Sequence, residues 1–77
     1  MPHVIIKMHS GRTEEQKAQL TKAIVDDIMA IVKCKEEVIS VAIQDFPPSQ
    51  WAEEVYKPDI LEGSVKLYKK PGYNPFK

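Results

Sequence analysis

The sequence predicts an α/β (α+β) fold: a single β-α-β unit, short C-terminal helices, and a sheet completed by a second subunit. Three observations predict it. Two runs of strand-forming residues, His3–Met8 and Val38–Gln44, flank one long helical pattern. That pattern begins with a helix-capping signature. Both strands are apolar at successive positions, as in strands covered on two faces.

The first run, HVIIKM, is rich in β-branched residues that fit a pleated surface. HSGR breaks it, with Gly11 as the turn residue. Thr13 is a good N-cap, and Gln16 lies three residues on, the spacing of a capping box. Glu14 and Glu15 follow the cap, where the helix dipole favours negative charge. Leu20, Ala23, Ile24, Ile28 and Ile31 recur at helical spacing, interrupted by Asp27. A helix from Glu14 to about Lys33 is therefore expected.

VISVAIQ, from Val38 to Gln44, is the second strand. A crossover helix between two strands implies a parallel pair with that helix on one face. The other face needs a cover that so short a chain has little material to supply, and a second copy is the simplest candidate. Pro47 and Pro48 stop the strand. WAEEVY, Trp51 to Tyr56, reads as a short helix. Pro58 reads as a first-turn proline, with a helix from Asp59 to Lys69 that Gly63 weakens. KKPGYNPFK reads as a tail or arm.

The 77 residues form one domain, 1–77. A core this small supplies only about 3–5 kcal/mol without a staple. Cys34 is the sole cysteine, and His3 and His9 have no partner at zinc-ligand spacing. Neither a disulfide nor a metal is expected, which leaves oligomerisation. Eleven basic residues balance eleven acidic ones, so nothing suggests a nucleic-acid partner or an anionic membrane. No secretory signal and no membrane span are evident, and a reducing cytoplasm is the expected compartment.

Four residues invite chemistry, and each has a plainer reading. Pro2 becomes a free secondary amine once Met1 is removed; otherwise it simply precedes a strand. An ordinary α-amino group titrates near 7.7–8.0. Apolar burial or a neighbouring cation lowers that value and yields a neutral base at pH 7. Arg12, at the strand-to-helix turn, can clamp a carboxylate through two parallel hydrogen bonds or be a solvated turn charge. Trp51 can wall a pocket or plug the core. Ser40 can point into a site or be satisfied by the backbone. His3, His9 and Cys34 read as structural.

Taken together, Pro2, the short strand, GRTEEQK at 11–17, the serine of ISVAIQ, PPSQW and the KKPGY ending resemble the 4-oxalocrotonate tautomerase family of the tautomerase superfamily. The ending resembles its dimeric subgroup. The resemblance implies Pro2 as catalytic base, Arg12 as substrate contact and Trp51 as an apolar wall. Ser40 falls where the family carries a second arginine, a departure that weakens any clamp on a dicarboxylate. The implied reaction is a cofactor-free enol–keto proton shift on a small 2-keto acid, with a monocarboxylate such as an arylpyruvate enol favoured. Two rivals stand beside it. One is a hydratase or dehalogenase acting on an unsaturated acid through protonated Pro2. The other is a binding domain that keeps the fold without turnover.

Overall fold

The computed structural model describes residues 1–77. Strand β1, His3–His9, leads into helix α1, Glu14–Val32. A single 3-10 turn, Glu36–Val38, precedes strand β2, Ser40–Phe46. Helix α2, Pro48–Trp51, continues without a break into a π-helical segment, Ala52–Leu61. The strands pair in parallel, with His3 opposite Ser40 and His9 opposite Phe46.

The start of α1 follows from local chemistry. The Gln16 N–H donates to the Thr13 hydroxyl at 3.0 Å, and the Thr13 N–H donates to the Gln16 side chain at 2.9 Å. This capping box satisfies two of the helix's orphan donors. Gly11, at φ 118°, makes the turn before it in a region that side chains rarely adopt. Lys33 ends the helix in the left-handed conformation, φ 66°.

Successive side chains alternate across a strand, so the register sorts the sheet into two faces. Val4, Ile6, Val41 and Ile43 share the face toward α1, where a trough joins Val41 and Ile43 to Ala18 and Val25. His3, Ile5, Lys7, Ser40 and Ala42 share the other face, toward the C-terminal helices. That second face is thus more polar than the unbroken apolar runs suggest. α1 rests on Lys17, Thr21, Ile24, Val25 and Ile28, all half-buried. The helical face is therefore rotated from the expected stripe, and Leu20 and Ile31 are exposed.

β1 runs one residue beyond the expected Met8, to His9, and three larger differences from the sequence reading follow. β2 begins at Ser40 rather than Val38 because the 3-10 turn takes up Val38, and it runs on to Phe46. The helix after the prolines starts at Pro48, using it as the first-turn proline. The helix expected over 59–69 does not form. Pro58 lies inside the preceding helix, which is wound in the wider i→i+5 pattern, and the Glu62 N–H donates to the Lys57 carbonyl to close it. Proline cannot donate a helical bond and crowds the preceding turn, and wider winding accommodates it. Beyond it, Gly63 passes so close to the Asp59 carbonyl that a Cβ would collide.

The chain from Glu62 onward folds back as a strap. Tyr56 donates its hydroxyl proton to the Tyr73 carbonyl at 2.9 Å, and its ring packs against Tyr73 and Phe76. Val55 and Tyr56 are the only buried residues, at 3% and 5% exposure. Burying a side chain of that size contributes about 1.5–3 kcal/mol, so the chain holds little core of its own.

Candidate functional site

Pro2 sits at the head of β1, half-buried, with its carbonyl accepting the Ser40 N–H at 3.1 Å. The Met1 α-amino group donates to the Val38 carbonyl, so Met1 lies alongside the entry to β2. The next pair across the sheet is His3 and Ser40. His3 Nδ1 and Ser40 Oγ are 2.6 Å apart, a hydrogen-bonded pair one step from Pro2. The parallel register alone brings these three residues together, although 38 positions separate Pro2 from Ser40 in the sequence.

From His3 a cleft of about 920 Å³ runs along the second face of the sheet. Ile5 and Lys7 form its floor, and Val55, Asp59 and Ile60 form its far wall. Lys7 Nζ reaches Asp59 at 2.5 Å across it, tying β1 to the π-helical segment. The two side chains are 30% and 42% exposed, so water screens the pair and limits it to about 1 kcal/mol or less.

Trp51 stands at the opposite end of the cleft. Its ring meets His9 edge-on at 4.9 Å and Phe46 at 6.3 Å, and its N–H donates to the Tyr73 hydroxyl at 2.8 Å. About 20 Å of strand separates His3 from His9 at roughly 3.3 Å per residue. Trp51 therefore does not reach Pro2 of its own chain. Neither does Arg12, which follows β1 at the same far end and lines a cavity of about 180 Å³ with Met8, Gln16 and Leu20. Arg12 is exposed and takes part in none of the four ion pairs. Of the four residues singled out in the sequence, the fold thus joins Pro2 with Ser40 and puts Arg12 and Trp51 a strand's length away.

The trough between α1 and β2 holds paired charges. Lys17 bonds Asp45 at 2.5 Å and Glu14 at 3.3 Å, and Lys22 bonds Asp26 at 2.7 Å. The hydrogen bond to Asp45 raises the Lys17 pKa above its ordinary value, and that to Asp26 does the same for Lys22. No three His, Cys, Asp or Glu side chains are grouped so as to hold a metal ion. No helix is long and apolar enough to cross a membrane.

Sequence reasoning missed His3, Lys7 and Asp59. His3 and Lys7 fall on the cleft face by strand alternation, a signal present in the sequence once the register is known. Asp59 had no such signal, because a new helix was expected to begin at Asp59 itself, whereas it lies inside the Ala52–Leu61 segment.

A family model described as tautomerase enzyme matches residues 2–56. The chain belongs to the tautomerase family. Tautomerases are isomerases, and the family's chemistry is keto–enol interconversion. Among its relatives, tautomerase PptA of Pectobacterium carotovorum subsp. carotovorum (strain PC1) is 38% identical over 80 residues, covering 96% of this chain and 99% of the relative. A probable tautomerase of Xylella fastidiosa (strain 9a5c) is 36% identical over 73 residues, covering 95% and 89%. Among solved structures, a heterohexamer 4-oxalocrotonate tautomerase from Chloroflexus aurantiacus J-10-fl superposes with a TM-score of 0.65 at 31% identity. It covers 70% of this tautomerase chain and 87% of its own. The resemblance read from Pro2, GRTEEQK and KKPGY is thereby upheld at the level of the family.

Proposed function

We propose that this tautomerase interconverts the enol and keto forms of a small 2-keto acid, without a cofactor, using the Pro2 nitrogen as general base. The observation that carries the reading is the position of Pro2. It opens the stretch matched by the family, is half-buried at the strand head, and has its carbonyl held by Ser40. Removing Met1 converts its tertiary amide into a secondary amine with a basic lone pair. It also opens the place beside Val38 that Met1 fills.

In the proposed step the neutral amine takes the enol O–H proton, and the C2 oxygen becomes a carbonyl as the double-bond electrons move to C3. The protonated amine then returns the proton to C3, so the base is regenerated. General-base catalysis of this kind contributes about 10²–10⁴-fold.

Arg12 and Trp51 enter the same site from a second protomer. Within one chain both lie about a strand's length, roughly 20 Å, from the base. A partner whose strands run antiparallel sets its own Arg12 and Trp51 ends beside Pro2. The guanidinium then meets the carboxylate, and the indole excludes water from the amine. Exposed apolar residues such as Ile5 (58%), Ile31 (77%) and Val32 (60%) offer the surface that such a homodimer needs to bury. With Ser40 where a second arginine would bind, a monocarboxylate such as an arylpyruvate enol suits the site better than a dicarboxylate.

The test is turnover of phenylenolpyruvate by protein shown by mass spectrometry to lack Met1, beside Pro2→Ala. The variant is expected to lose at least about a hundredfold in kcat/KM with its fold intact. Equal turnover by the two proteins would remove Pro2 from the mechanism.

A further inference from the structure

We infer that His3 is a positioning residue for this reaction, holding the Ser40 hydroxyl so that its proton points at the C2 oxygen of the substrate. The inference rests on the tautomerase reading above and assigns the polar group that faces the developing charge.

The separation of 2.6 Å between His3 Nδ1 and Ser40 Oγ leaves room for one proton between them. With Nδ1–H donating, Oγ acts as acceptor and keeps its own proton free to turn outward. A lone serine on a strand rotates its hydroxyl among several acceptors, including nearby backbone carbonyls. An imidazole fixed on Oγ removes that freedom. The register locks the pair in place, because His3 and Ser40 are direct partners across the parallel sheet.

The placement relative to Pro2 gives the pair its task. The Ser40 N–H holds the Pro2 carbonyl at 3.1 Å, so the Ser40 side chain starts one hydrogen bond away from the residue bearing the base. Met1 lies along the same stretch, bonded to the Val38 carbonyl, and its removal vacates the place beside the entry to β2, two residues before Ser40. As the enol proton passes to Pro2, negative charge gathers on the C2 oxygen. A donor already aimed there stabilises that charge without reorganising. Its effect falls on the chemical step, because the neutral enol of the ground state gains less from it.

The experiment compares His3→Phe, Ser40→Ala, their double variant and His3→Asn, all lacking Met1, on phenylenolpyruvate, with Pro2→Ala alongside. His3→Phe and Ser40→Ala are each expected to lower kcat by about tenfold to a hundredfold, with KM within about threefold of the parent. The double variant is expected to be no slower than Ser40→Ala, because His3 acts only through the hydroxyl. His3→Asn, whose amide N–H can replace Nδ1–H, is expected to recover most of the loss. Far-ultraviolet circular dichroism and sedimentation confirm that each variant folds and assembles.

Multiplying losses in the double variant, a change in KM alone, or full activity of His3→Phe would overturn the positioning role. If Pro2→Ala keeps full activity while His3→Phe and Ser40→Ala fall together, the base assignment fails and the pair stands. Absence of turnover above the uncatalysed rate in the parent protein would overturn both.

Discussion

The proposed division of the site between two chains makes a quantitative prediction about mixed protomers. Pro2→Ala removes the proposed base, and Arg12→Ala removes the proposed carboxylate contact. Each variant alone has both of its sites disabled. If the variants are unfolded together in equal amounts and refolded, about half of the dimers pair one of each kind. In such a dimer, one site combines Pro2 of the Arg12→Ala chain with Arg12 of the Pro2→Ala chain, and is complete. The other site lacks both residues. One working site in two, in half of the dimers, gives about one quarter of the parent kcat per protomer. The expectation comes from the strand: Pro2 precedes His3, Arg12 follows His9, and the roughly 20 Å between them exceeds the reach of an arginine side chain. The assay is phenylenolpyruvate ketonisation by the refolded mixture, with each variant refolded alone as baseline. Activity of the mixture equal to the mean of the two variants would refute the divided site.

Other expectations follow from the same geometry. If the Pro2 amine acts as a base, kcat/KM rises with pH through the titration of that amine and then levels; a fall over the same limb would indicate an acid, as in hydration or dehalogenation. Tyr56→Phe removes the hydroxyl that holds the Tyr73 carbonyl, at a cost of about 1 kcal/mol, and thermal melting should show Tm lower by about 4–8 °C. Lys17 has a pKa raised in the folded state, chiefly by its bond to Asp45, so its contribution to stability is fully present below its ordinary value of 10.5 and is lost as pH rises through the raised one. Denaturant midpoints of the parent should therefore fall above that pH, and fall less in Lys17→Met.

Local rules carried much of the fold. The Thr13–Gln16 capping box and the first turn of α1 are written in neighbouring residues, and the structure reproduces both. The β-α-β order needed only two β-branched runs and a helical period. Local rules failed where distant groups decide. Pro58 starts a helix by its own chemistry, yet it lies inside one here because the segment from Pro48 already packs Val55 and Tyr56 inward. The apolar stripe of α1 was legible, but its rotation was not: Lys17 turns toward the sheet to meet Asp45, an acidic partner 28 residues away.

By itself the sequence determined the family, the parallel topology and the candidate base, because a capped helix between two strands and a proline after Met1 are properties of adjacent residues. Only the tertiary structure decided which candidates meet. Register set Ser40 and His3 beside Pro2, and strand length put Arg12 and Trp51 at the other end. Register and length act through hydrogen bonds between segments that the sequence holds far apart.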